Sequence, residues 1–233
     1  MGSNFSFGSK QTFTSFQTTK SRIIKVSDNL FVELYHNASN GLLSKTVSVS
    51  KDVLTYNTES SLGVTATLSA LTLLDSTHFV VFYGNTNAFY AKVGTISGTD
   101  ISYGSAQTIS TSFTPAYIEV SAIDSSNVLL TYTEGTSFGR VRLCSIDGDT
   151  VTPQTAYSFN AANSTYNQTK LISSSKFITV YRDVGNSNYG TAIIGDISGS
   201  QEISFGSEYT YSTVAAAFTN VEIIDSTHFI MTM

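Results

Sequence analysis

The chain has 233 residues, with 12 Lys and Arg against 17 Asp and Glu and a formal net charge of −5. Only 12% of residues are charged, against roughly 25% in an ordinary soluble domain, so hydroxyls and amides must solvate much of the surface. An acidic chain with no basic cluster argues against nucleic acid, whose binding rests on phosphate neutralisation, and the single cysteine, Cys144, excludes an internal disulfide and a Cys-based zinc centre.

No run approaches the roughly 20 apolar residues of a membrane-spanning helix, so membrane insertion is not expected. Apolar residues alternate at period two and are rich in Val, Ile, Thr, Phe and Tyr, which predicts strands. The only prolines are Pro115 and Pro153, so long segments can pair without losing donors.

In chain order, Phe5 to Phe13 matches Ile203 to Tyr211 in pattern and reads as a fourth strand without the three that should precede it. Val26 to Tyr35 is a worn copy of a ten-residue unit. Full copies follow at Leu74 to Tyr83, Ile123 to Tyr132, Ile172 to Tyr181 and Ile224 to Met233. Their apolar anchors are Phe31, Phe79, Val128, Phe177 and Phe229, spaced by 48, 49, 49 and 52 residues on subtraction of residue numbers. A fixed period of this length marks a repeat architecture.

The unit from Thr114 to Phe159 is the clearest. Ala116 to Ile123 is its first strand, with Tyr117, Glu119 and Ser121 on one face and Ile118, Val120 and Ala122 on the other. Asp124 to Asn127 is a turn opened by an Asp that can accept backbone amides ahead of it. Val128 to Tyr132, Gly139 to Ile146 and Thr150 to Phe159 are the remaining strands, with Asp147-Gly148 as a tight hairpin turn. Third strands recur at Tyr90 to Ile96 and Gly190 to Ile197, and fourth strands at Ile101 to Ser105 and Ile203 to Ser207. Four short antiparallel strands per unit of about 48 residues predict an all-β, single-domain, five-bladed β-propeller over 1–233. The N-terminal strand would close the ring by joining the blade of Phe229. About nineteen strands are expected, and the incomplete last blade leaves an edge open to self-association or to other chains.

The plan of five such units with a permuted end resembles the five-bladed tachylectin-2-type animal lectins. Their Trp-containing repeat is absent, since this chain has no Trp, so no sugar-binding residue carries over. The wording Asp-Ser-Thr-His-Phe, followed by Thr-Ile-Ser-Gly and Ile-Ser-Tyr-Gly-Ser, resembles repeats of phage and environmental bacterial proteins. The resemblance to the lectins implies carbohydrate recognition.

Candidate site residues lie in the loops between second and third strands, where amides and aromatic residues concentrate: Asn85, Asn87 and Tyr90 in one repeat, and Arg182, Asp183, Asn186, Asn188 and Tyr189 in another. Amides suit sugar hydroxyls and a Tyr ring suits a sugar's apolar face. His36 to Asn40 is a third such loop. Asn37, Asn163 and Asn167 open sequons that matter only if the source glycosylates. The carboxylates Glu33, Glu119 and Glu222 raise a glycosidase reading, which needs two converging acids. His78 and His228 recur in equivalent turns too far apart in the repeat to share a metal. No catalytic residue, metal or cofactor is expected. The reading is a non-enzymatic, lectin-like module on a cell or virion surface with glycans as partners; the alternative is a structural module of a virion appendage or surface assembly.

Overall fold

The computed structural model describes residues 12, 18–39, 41–51, 53–135 and 138–233. Among these there is no helix, and 21 strands form five antiparallel sheets that follow one another along the chain. The first sheet holds β1 (Thr18–Ser27), β2 (Leu30–Asn37), β3 (Gly41–Ser50), β4 (Val53–Tyr56) and β5 (Ser60–Thr65). The second holds β6 (Leu68–Leu73), β7 (His78–Asn85), β8 (Ala88–Ser97), β9 (Asp100–Tyr103) and β10 (Gln107–Ser110). The third holds β11 (Pro115–Asp124), β12 (Asn127–Glu134), β13 (Phe138–Asp147) and β14 (Thr150–Asn160). The fourth holds β15 (Ser164–Ser173), β16 (Lys176–Asp183), β17 (Tyr189–Ile197), β18 (Ile203–Phe205) and β19 (Tyr209–Ala215), and the fifth holds β20 (Asn220–Ile223) and β21 (Phe229–Thr232).

The repeated turn owes its shape to its first side chain. Asp75 Oδ1 accepts the amides of Thr77 at 2.7 Å and His78 at 2.8 Å, and Asp225 accepts those of Thr227 and His228 in the same way. In the third sheet Asp124 accepts the Ser126 amide at 2.7 Å, and in the fourth Ser173 Oγ accepts that of Ser175. Burial works upward on the Asp75 carboxyl, but the hydrogen bonds from Thr77 and His78 outweigh it and take it down to about 2. The turn also ties down the third strand: the amides of Ile96, Ile146 and Ile197 donate to the carbonyls of Thr77, Ser126 and Ser175 at 2.7–2.8 Å.

The fourth strand departs from the expected continuous run in the first, second and fourth sheets. The amides of Asn57, Gly104 and Gly206 turn onto the carbonyls of Thr46, Val93 and Ile194 at 2.9–3.0 Å, and the chain then leaves the ladder briefly. Ile101 to Ser105 therefore ends as a strand at Tyr103, and Ile203 to Ser207 ends at Phe205. The chain resumes as a second half-strand on the same neighbour, β10 on β8 and β19 on β17. These breaks raise the number of strands above the nineteen expected.

The central strands are buried on both faces. From β7, Phe79, Val81 and Tyr83 pack with Val32, Leu34 and Leu42 of the first sheet, while Val80 and Phe82 pack with Val128, Leu130 and Tyr132 of the third. Leu129 meets Phe177 and Tyr181 of the fourth sheet, and Ile178 and Val180 meet Val221 of the fifth. Alternate side chains point to opposite faces of a strand, so each run of apolar residues serves two interfaces and the sheets stack face to face. The first strands lie side by side in chain order: β1 by β6, β6 by β11, β11 by β15 and β15 by β20.

The anchors fit by complementary size across one strand pair. Phe79 is paired with Gly94 and Phe177 with Gly195, whereas the smaller Val128 is paired with Cys144. A Cβ on Gly94 or Gly195 would meet the facing ring at 2.4 or 2.1 Å. Cys144 is fully buried, and burial pushes its thiol up to about 12.

Phe229, expected to pack between blades like Phe79, Val128 and Phe177, departs from them: it is 37% exposed. Among the described residues its sheet has two strands, so no third strand with a facing glycine covers the ring. The expected closing strand, Phe5 to Phe13, lies outside the described residues apart from Thr12. No described helix is long and apolar enough to cross a membrane.

Candidate functional site

The first strands of the third and fourth sheets carry the same irregularity. In β11 the register slips between Ala116 and Glu119, and in β15 between Thr165 and Gln168. Each slip inserts one extra residue, a β-bulge, which bends the strand and re-aims a side chain. The residues at these bulges are Tyr117 with φ 49° and Tyr166 with φ 56°, and just ahead of β20 Phe218 has φ 56°. A bulky residue in the left-handed region costs on the order of 1–3 kcal/mol, so three aromatic residues sit where glycine would be easier.

The residue after each ring is an anchor. Ile118, Asn167 and Thr219 are all buried. Thr219 donates to the Tyr166 carbonyl, and Asn167 Nδ2 donates to Thr133 Oγ1 at 2.8 Å. With the anchors fixed, the rings turn toward one another. Tyr117 and Tyr166 have centroids 5.2 Å apart, and Tyr166 and Phe218 are 5.0 Å apart. Phe218 is 77% exposed, an unusual position for a large apolar side chain.

These rings line a cavity of about 700 Å³. All five sheets or their leading segments reach it: Arg22 from β1, Leu68 and Ser69 from β6, Tyr117 and Glu119 from β11, Tyr166 and Gln168 from β15, and Phe218 and Asn220 at β20. The same cavity carries a polar group. Gln168 Nε2 donates to Glu119 Oε1 at 3.0 Å, and Arg22 lies 3.7 Å from the same oxygen. Burial pushes the Glu119 carboxyl above its usual range, against the pull of Arg22 and Gln168. Among the described residues, four buried side-chain atoms with no hydrogen-bond partner fall within five positions around Tyr166: Asn163 Oδ1, Ser164 Oγ, Thr165 Oγ1 and Asn167 Oδ1.

The loop residues singled out by sequence are divided between the second and fourth sheets. Asn85 and Tyr90 line a small open cavity of about 300 Å³, with Tyr90 5.8 Å from Tyr83. Asn87 adopts φ 56° in a turn whose amide donates to Thr114 Oγ1 at 2.8 Å. In the fourth sheet Asp183 is buried, and it accepts from Asn160 Nδ2 at 3.1 Å and from the Gly185 amide at 3.0 Å, which makes it a turn-former. Asn186 continues the same turn through its backbone, donating to the Asp183 carbonyl and accepting from the Tyr189 amide. Arg182 does reach one of the cavity's rings: it donates to Asn188 Oδ1 at 2.9 Å and lies 5.7 Å from the Tyr166 ring centre.

The ring residues were missed because alternation places Tyr117 on an ordinary strand face. The repeat itself carried the signal: eleven positions ahead of each anchor stand Lys20, Leu68, Tyr117, Tyr166 and Phe218. His36 is likewise no loop residue. It is buried in β2, with its ring nitrogens 3.0 Å from the Ala66 carbonyl and 2.8 Å from Ser69 Oγ. Asn167 is 2% exposed, which closes its sequon to a glycosylating enzyme.

Glu119 is the one carboxylate among the described residues lining the large cavity. Glu222 is held by Lys170 at 2.8 Å, and Glu33 lines a separate hollow on the first sheet. Among the described residues, two acids flanking one bond are therefore not assembled at this cavity. Among the described residues no group of three or more His, Cys, Asp or Glu is placed to hold a metal ion. No protein-family model matches the chain, and no curated protein matches it significantly.

Proposed function

We propose that the chain is a five-bladed β-propeller serving as a non-enzymatic, lectin-like binding module. Each stacked sheet is one blade, and the side-by-side first strands surround the axis. The observation that carries this reading is the convergence of all five sheets on one cavity with three ring faces, three side-chain amides and, among the described residues, a single carboxylate. Ring faces take the apolar side of a sugar, and amides and carboxylates take its hydroxyls. A surface solvated by Ser, Thr and Asn fits display on a cell or virion exterior.

A glycan array probed with a multimerised sample tests the reading. Binding to a defined subset of glycans, without turnover of chromogenic glycosides, is the expected result. Steady hydrolysis that disappears in Glu119→Gln would make the protein a glycosidase, and silence across the array would favour a structural module of a surface assembly.

A further inference from the structure

The three rings form one continuous surface. Tyr166 is in the middle, with Tyr117 and Phe218 each about one ring-width away. The faces are too close to one another to wrap a bulky cation between them, and Arg182 already lies against Tyr166. The charges at the cavity are also matched. Arg22 faces Glu119 at 3.7 Å, and Lys170, the next cation along β15, holds Glu222 at 2.8 Å. Drawing Arg22 onto an acidic ligand would strip the partly buried Glu119 carboxylate of its cation, and an unpaired buried charge is costly. Of the unpartnered oxygens around Tyr166, Asn167 Oδ1 belongs to a residue that lines the cavity, and it can accept a hydrogen bond from a ligand O–H.

We infer that the cavity is a single site for a neutral sugar, seated on Tyr117, Tyr166 and Phe218 with its hydroxyls toward Gln168, Glu119 and Asn220, and closed to acidic sugars and to quaternary ammonium groups. This rests on the binding-module reading and sharpens it: one axial site per chain replaces several weak sites on the outer loops. The first two blades lack an aromatic residue at the matching position, where Lys20 and Leu68 stand. The ring surface therefore covers one side of the cavity, which suits one sugar unit rather than a symmetric five-fold ligand.

Calorimetric titration of the full chain tests the inference, using methyl glycosides of glucose, galactose, mannose and N-acetylglucosamine, with sialyllactose, glucuronate and choline as charged probes. The expected result is binding of at least one neutral glycoside at about one per chain. Tyr166→Gly should weaken it about tenfold, as expected for loss of a stacked ring, with little change in melting temperature because glycine relieves the backbone strain. Phe218→Leu should weaken it too, and its exposed side chain makes a folding defect a poor explanation. Asn186→Ala, in the outer loop, should leave binding unchanged. Preference for sialyllactose, glucuronate or choline would overturn the inference while leaving a binding module standing. So would several sugars per chain, indifferent to Tyr166→Gly. Failure of every sugar to bind would overturn the binding-module reading itself.

Discussion

The pairing of anchor and small residue gives a direct test of how the sheets pack. Phe177 is fully buried, and a Cβ at Gly195 would lie 2.1 Å from its Cζ and 2.4 Å from its Cε1. Carbon atoms in contact prefer about 3.5–4.0 Å, and the ring has Leu129 and Tyr181 around it and no free space to retreat into. Gly195→Cys should therefore lose about 3 kcal/mol, the upper part of the overpacking range. Phe177→Val leaves a hole and should lose about 2–3 kcal/mol. The double variant recreates the Val128 and Cys144 pair of the third sheet, with part of the volume moved from the second strand to the third.

Urea unfolding of the four proteins forms a closed cycle. Independent effects would give a combined loss of about 5–6 kcal/mol, whereas complementary filling should hold the double variant to about 2–3 kcal/mol, a coupling of about 3 kcal/mol. Additivity within about 0.5 kcal/mol would refute the reasoning, because the two positions would then not share one packed space.

Phe177→Ala should lose about 3–5 kcal/mol while Phe229→Ala loses less than about 1 kcal/mol, since Phe229 is partly exposed; equal losses in the same unfolding assay would show that Phe229 is buried after all. Burial holds the His36 imidazole below its ordinary 6.5, against the carbonyl of Ala66. The unfolded chain takes up that proton first, so the His36 contribution to stability is full above about pH 6.5 and is lost as pH falls below it; melting curves of His36→Gln should lack this loss between neutral and mildly acidic pH. The Asp75 carboxyl, pushed up by burial but taken down from 3.8 to about 2 by the combined Thr77 and His78 hydrogen bonds, contributes stability above about pH 4 that fades toward pH 2. Asp75→Asn should flatten part of the acid limb, by well under 1 kcal/mol in so exposed a turn, and an unchanged limb would mean that the turn's hydrogen bonds are already broken in solution.

What the sequence showed plainly was whatever rests on local or period-two physics. The Asp-led turns were legible because Asp75, Asp124 and Asp225 bond amides two or three residues ahead. Burial of Phe79, Val128 and Phe177 was legible from the repeat. The fourth-strand breaks were not, because Gly104 and Gly206 leave the ladder through a single backbone bond that any residue could make. The ring-lined cavity was not legible for a similar reason. Polar loops drew attention to Asp183 and Asn188, whose side chains serve their own turn and Arg182. The rings at Tyr117 and Tyr166 depend on bulges that no alternation pattern reveals.

The central claim is that ligands enter where the five sheets meet rather than at the outer loops. The most direct measurement is a residue-resolved NMR titration with the neutral glycoside that binds best. The account predicts saturable shifts at Tyr117, Tyr166, Asn167, Gln168 and Phe218, with Asn85 to Tyr90 and Asn186 to Tyr189 unmoved. Shifts confined to those two loops, with the ring residues silent, would contradict it.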